Sequence, residues 1–307
     1  LGLTGLGGGV DGLGVVGAGE KFYIDDYFKW SLWQGNNTIG RDIVNNIDIA
    51  DKGGMVWAKK RELEDHIIVD TVRGANNFLI VNDSDAQSTA NSISAFNSNG
   101  FTVDNNGYVN GNSSTYVGWT FAKQKGFFDV VTWTGNGTAG REIAHNLGSL
   151  PGMIIVKRTD GADDWYTANL RADGAQYNFC KLNTTDAKFS NDLIANVADA
   201  SNIIVDGTSN GGTGSFANLD GGAHTINTTG ETYVAYVFAH NDGDGTFGKS
   251  GNQDIIKCST YSGNNSSTGP TVTLGWEPQY LLIKRVDGGS GGQWTIFDSG
   301  RGVHTGS

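Results

Sequence analysis

The feature that most constrains this chain is that it repeats itself. An aromatic residue followed by a turn occurs three times, as Trp33-Gln34-Gly35-Asn36, Trp133-Thr134-Gly135-Asn136 and Tyr261-Ser262-Gly263-Asn264. The first two are followed by Gly40-Arg41-Asp42-Ile43-Val44-Asn45-Asn46 and Gly140-Arg141-Glu142-Ile143-Ala144-His145-Asn146, in the same order and 100 positions apart. A second landmark is an apolar run ending in a base: Gly54-Met55-Val56-Trp57-Ala58-Lys59, Gly152-Met153-Ile154-Ile155-Val156-Lys157 and Gln279-Tyr280-Leu281-Leu282-Ile283-Lys284. Asn77-Phe78-Leu79-Ile80-Val81-Asn82 then matches Asn178-Phe179-Cys180-Lys181-Leu182-Asn183. Each full copy closes on Thr115-Tyr116-Val117-Gly118-Trp119-Thr120-Phe121-Ala122 or Thr232-Tyr233-Val234-Ala235-Tyr236-Val237-Phe238-Ala239. A chain with this self-similarity folds as repeated units.

The landmarks set the expected boundaries: a glycine-rich lead over residues 1–26, full copies over 27–125 and 126–248, and the opening half of a third over 249–307. A chain that stops inside its third copy reads as a segment of a longer polypeptide. Short alternating runs separated by Gly, Asn, Asp and Ser clusters predict an all-β fold of tandem antiparallel β-sandwich modules with Gly- and Asn-rich loops. Only 86–96 and 186–198 leave room for a helical turn or two. The second copy carries its extra length as a loop within Gly207 to Gly230. Pro151, Pro270 and Pro278 fall in or just before strand starts, where a missing N–H costs least.

Composition narrows the function. The 47 glycines among 307 residues, with 17% charged residues, describe a globular chain rich in turns. A net charge of −11 disfavours nucleic acid and anionic membranes as partners, since both need a basic face. No apolar stretch reaches the length needed to span a bilayer. Cys180 and Cys258, the only cysteines, suit neither a zinc site nor a disulfide framework and read as isolated thiols in strand-like runs, with a disulfide between the two as the alternative.

Motif matches are weak. Gly12-Leu13-Gly14-Val15-Val16-Gly17 fits a dinucleotide fingerprint without the strand and helix it needs, and Gly288-Gly289-Ser290-Gly291-Gly292 fits a nucleophile elbow where a strand resumes instead. The five histidines show no ligand spacing, and no cofactor is indicated. Asp242 and Asp244, within His240-Asn241-Asp242-Gly243-Asp244-Gly245, are weak candidates for calcium against a polar linker turn. Lys59, Lys157 and Lys284 read as bases that snorkel or pair with an acid inside the sandwich, against the alternative of binding an anionic sugar. Trp165 and Trp294 are weak ligand candidates: each opens a strand, and an exposed indole there could stack on a sugar, although core packing is the commoner use. Asp163-Asp164 reads as a solvated loop rather than a glycosidase pair. No catalytic residue is indicated.

The combination Trp133-Thr134-Gly135-Asn136-Gly137, His145-Asn146-Leu147-Gly148, Pro151-Gly152-Met153-Ile154-Ile155-Val156-Lys157-Arg158 and the closing run 232–239 resembles the repeated β modules of marine tailed-phage, cyanophage-like, tail-fibre and virion structural proteins. Trp276-Glu277-Pro278-Gln279 through Lys284-Arg285, followed by Trp294-Thr295-Ile296-Phe297-Asp298-Ser299, is similar to the pattern that opens further copies. The first copy fits loosely, with Gly53-Gly54 for Pro-Gly and His66 near the expected Trp. The resemblance implies a non-enzymatic virion protein, extracellular in the virion. Its partners would be copies of itself, a trimer being favoured, other virion proteins and host surface glycans. The rival expectations are a carbohydrate-binding adhesin of a bacterial surface protein and a polysaccharide depolymerase.

Overall fold

The computed structural model describes residues 22–62, 65–170, 177–188, 198–205, 226–287 and 292–302. The glycine motif at 12–17, most of the 288–292 motif, residues 189–197 of the second helical candidate and most of the 207–230 loop lie outside the described residues. The first part of the chain runs through β1 (Phe28–Gln34), β2 (Arg41–Val44), a single helical turn α1 (Ile49–Lys52), β3 (Gly54–Lys60), β4 (His66–Asp70), β5 (Asn77–Ile80), β6 (Ser88–Thr89), β7 (Ile93–Asn97), β8 (Gly100–Val103) and β9 (Thr115–Ala122). The second runs through β10 (Phe128–Thr134), β11 (Arg141–Ala144), β12 (Pro151–Arg158), β13 (Tyr166–Leu170), β14 (Tyr177–Lys181), β15 (Asn202–Val205) and β16 (Thr232–Ala239), and β17 (Tyr280–Ile283) and β18 (Thr295–Asp298) form a hairpin after it.

All pairings are antiparallel. The large sheet of the first part has the order β1-β9-β3-β4-β5-β6, and that of the second β10-β16-β12-β13-β14. The small sheets are β2-β8-β7 and β11-β15. Strand order is therefore the same in both parts, with β1 and β10 on the edge beside the closing strands β9 and β16.

Side chains alternate across a strand, so each large sheet has two faces. One face of the first carries Trp33, Val56, Ala58, Ile67, Val69 and Tyr116 against Ile43, Ile93, Phe101 and Val103 of the small sheet. In the second, Ile154, Val156, Tyr166, Tyr233 and Val237 meet Ile143, Ile203 and Val205 in the same way. The opposite faces do not meet water. Met55, Trp57, Ile68, Val117, Trp119 and Phe121 join Val130, Ile155, Trp165, Val234, Tyr236 and Phe238 in one further core. Tyr280, Trp294 and Ile296 from the β17–β18 hairpin pack on that core from a third side. Burial on both faces explains why the closing strands are apolar almost throughout rather than alternating with charge.

Three local expectations are corrected. Residues 86–96 contain no helical turn; β7 instead turns back on β8 through Asn97↔Gly100, because the Ser98-Asn99-Gly100 turn lets Phe96 pair with Phe101. Ile255 to Cys258 forms no strand, since the structural counterparts of this run, β1 and β10, pair only with a closing strand, and none lies beside it among the described residues. The turn α1, capped by Asp48 through the Asp51 N–H at 3.0 Å, is too short to leave a periodic trace.

Candidate functional site

The most strongly repeated residues lock the fold. Trp33 Nε1 donates to the Val109 carbonyl at 2.8 Å and Trp133 Nε1 to that of Ile226 at 3.0 Å. Their rings stack on Tyr116 and Tyr233 at 5.4 and 5.3 Å. Arg41 and Arg141 reach back to the carbonyls of Gln34 and Thr134 and to the side-chain oxygens of Asn110 and Asn227. At Gly35 and Gly135 a Cβ would strike the carbonyl oxygens of Gly111 and Thr228. Asn45 Oδ1 accepts the Ile47 N–H at 3.0 Å, and at the matching place His145 Nδ1 accepts the Leu147 N–H at 3.2 Å. Burial lowers the His145 pKa, so it serves there as a neutral acceptor.

The two ligand candidates among the tryptophans are placed at junctions between repeats. Trp165 is fully buried, stacks at 6.3 Å on Tyr236 and donates Nε1 to the Ile80 carbonyl at 2.9 Å. No ring face remains for a sugar, which corrects the ligand reading. Trp294, partly buried, donates to the Lys181 carbonyl at 2.8 Å. Ile80 and Lys181 hold the same position in the two copies, so these contacts are equivalent. The lysine expectation also changes. Lys157 is 1% exposed and donates to the carbonyls of Ser84 and Arg158, at 3.1 and 2.8 Å, and burial lowers its pKa to about 8 against the pull of Asp163. Lys284 donates to the Thr184 carbonyl at 3.2 Å and to that of Gly292. Each ammonium group reaches a loop carbonyl of the preceding repeat, Ser84 or Thr184, because that loop lies directly over the strand end. Backbone bonds repeat the pattern: Gln87 N–H to the Thr159 carbonyl, and Lys188 N–H to that of Val286.

A second contact type recurs. Asp70 pairs with Arg73 at 2.6 Å and accepts the Tyr236 hydroxyl at 2.8 Å. Burial holds that phenol well above its ordinary pKa. Asp298 pairs with Arg301 at 2.7 Å and accepts from Trp119 Nε1 at 3.1 Å, while the Arg301 guanidinium sits 5.2 Å over the Trp119 ring. Tyr236 and Trp119 are the same position of the closing strand. Sequence reading missed this pair, although Asp-x-x-Arg at both places was its signal.

The remaining candidates are dispersed. Asp163 Oδ1 accepts the Tyr166 hydroxyl, and Asp164 pairs with Lys181 at 2.9 Å, so both are tied into the fold rather than solvated. Asp242 lies 3.4 Å from Lys257 and its N–H meets Asp244 Oδ1, while Asp254 takes the N–H groups of Gly243 and Gly245. Among the described residues no three His, Cys, Asp or Glu side chains gather as a metal cluster. Cys180 and Cys258 form no disulfide with each other; Cys180 lies in β14, and burial pushes the Cys258 thiol up to about 12.

One cavity of 480 Å³ stands at the centre of these junctions. Trp57, Lys59, His66, Val81, Trp119, Leu182, Trp294 and Ile296 are in its lining, so it draws on both repeats and the hairpin. His66 opens β4 where Trp165 and Trp294 precede their strands. Its main-chain N–H donates to Asn82 Oδ1 at 3.0 Å, as that of Trp165 does to Asn183 Oδ1 at 3.0 Å. A family model described as a domain of unknown function, DUF7483, matches residues 24–306. The chain belongs to the DUF7483 family. The match runs unbroken from the turn before β1 to the end of the described hairpin, so the DUF7483 domain takes in both parts and the cavity between them. No curated protein and no solved structure matches the chain.

Proposed function

We propose that this DUF7483 chain is a non-enzymatic structural component of a tailed-phage virion, a tail fibre or surface decoration built from tandem β-sandwich modules, which presents its loops to the host surface. The observation that supports this reading is where the repeated residues go. Trp33 and Trp133, Arg41 and Arg141, Lys157 and Lys284 are all engaged inside the fold or between repeats. What the copies hold in common therefore builds a stiff frame, and what differs lies in loops. Repetition of weakly binding loops on such a frame converts single contacts into avidity. Self-association, contacts with other virion proteins and host glycans as ligands belong to this proposal.

Light scattering of the purified chain, followed by negative-stain imaging of the same peak, tests it. A rod-like trimer or longer assembly is the expected result. A compact monomer of 32.5 kDa that binds a glycan saturably would instead establish an adhesin-like module. Release of reducing ends from host exopolysaccharide would replace the proposal with a depolymerase.

A further inference from the structure

The contacts between repeats form a cycle with one position open. The residue just before β13 in the second copy, Trp165, donates to the carbonyl of the fourth residue of the first copy's Asn77-to-Asn82 segment, and Trp294 of the hairpin donates to that of the fourth residue of the second copy's Asn178-to-Asn183 segment. The Asp-x-x-Arg contacts run in the same direction, from the first copy to the second through Tyr236 and from the hairpin back to the first copy through Trp119. That last contact closes the ring. It leaves His66, the first copy's counterpart of Trp165, as the side chain that meets no carbonyl among the described residues.

The structure agrees at four points. His66 Nδ1 is buried with no hydrogen-bond partner, and so is Trp57 Nε1 beside it, the two rings lying 6.3 Å apart. A buried polar atom left unpaired is costly and uncommon; Trp57 Nε1 is a donor and His66 Nδ1 is one in its Nδ1–H tautomer, so the two together mark a missing acceptor. The cavity next to them is lined by Val81 and Leu182, the fifth residues of the two strand segments, and by Asn82 and Asn183, the sixth. Among the described residues no third one of either kind lines it. Finally, among the described residues β18 pairs only with β17, so the edge on which β5 adds to β4 and β14 adds to β13 carries no described strand on β18.

We propose that this cavity is an acceptor site for an extended strand of the repeat's own type, Asn-Phe-x-x-(Val or Leu)-Asn, added antiparallel to β18. Its fourth carbonyl accepts from the His66 ring, its fifth, apolar side chain fills the space beside Val81 and Leu182, and its sixth-position Asn accepts the Trp294 N–H. Backbone pairing supplies affinity and the two side-chain positions supply register, as in other strand-addition complexes. The site is independent of the virion reading, since it concerns how repeats close on each other and not what they contact outside.

A synthetic peptide copying residues 76–85 is the probe, titrated into the full chain and followed by tryptophan fluorescence, with calorimetry for stoichiometry. Saturable one-to-one binding is expected, together with slowed amide exchange over 295–298. A peptide with Asp at the position of Val81 should bind at least tenfold more weakly. In the protein, His66→Phe keeps the ring and removes the donor and should weaken binding about fivefold, the size of one hydrogen bond. No saturable binding, or equal binding of the Asp peptide, overturns the site; unchanged affinity in H66F overturns the register. The two peptides test the site on the unmodified chain whether or not H66F folds.

Discussion

At the residue scale, one position shows how much a side chain's role depends on its neighbours. Trp165, Trp294 and His66 begin equivalent strands, and sequence alone left the tryptophans between sugar platform and core. That choice was not legible because the carbonyl each indole meets comes from a different repeat, 85 and 113 residues away. Trp165→Phe should keep most of the packing but strand the Ile80 carbonyl, costing about 1–2 kcal/mol in urea unfolding, whereas Trp165→Ala should cost about 3–5 kcal/mol. An unchanged stability in Trp165→Phe would show that the hydrogen bond contributes nothing.

His66 makes a pH prediction. Burial, with help from Lys59 and against Asp65, lowers its pKa from 6.5 to about 4. Between those values the unfolded chain takes up a proton that the folded one refuses, so this contribution is intact above about pH 6.5 and is lost as pH falls toward 4. The whole loss is about 3 kcal/mol. Urea midpoints measured at pH 7 and pH 4.5 should draw apart less in H66F than in the unmodified protein; parallel shifts would remove His66 as the cause. The Asp70–Arg73–Tyr236 contact carries a third expectation. Asp70→Asn leaves a buried guanidinium unpaired and should cost about 3–5 kcal/mol. Tyr236→Phe should cost about 1 kcal/mol, and less in the D70N background.

At the element scale, strands were the most legible part, since a period of two and Gly or Asn punctuation are local signals. The first two Trp-x-Gly-Asn turns were visible too, and the structure gives the reason for their glycine. Gly35→Ala and Gly135→Ala should each destabilise by about 1–3 kcal/mol, because a Cβ has nowhere to go but into the backbone of Gly111 or Thr228. Gly40→Ala supplies the contrast: open space surrounds that Cβ, and the cost there comes only from a φ of +72°. Differential scanning calorimetry of the three variants separates crowding from backbone strain. The expected strand at 255–258 was misread because a strand needs a neighbour, which no local pattern records. Asp163-Asp164 was misread for the same reason, its partners Lys181 and Asn183 coming from β14 and the turn after it.

At the scale of the whole molecule, the repeat predicts similar units but not how they meet. A sequence of apolar residues on both faces of β9 and β16 is compatible with a wide single core or with two separate ones. The structure has two separate ones on each large sheet, and the outer one is common property of both copies and the hairpin. Unfolding should therefore follow one cooperative transition, coincident by near-UV circular dichroism and by fluorescence. A fragment ending at residue 125 should expose Trp57, Trp119 and Phe121 together and aggregate or bind a hydrophobic dye; a soluble, well-dispersed fragment would refute a shared core.

The shared core also bears on ancestry. A copy that arises by duplication in an ordinary string of beads is free to drift, be lost or be exchanged for a foreign unit. Here the first two copies each lend a carbonyl to the unit that follows, and receive its indole N–H in return. Drift in one copy is thus answerable to its neighbour, and a copy lifted from a distant lineage would arrive without the groove that its own tryptophan needs.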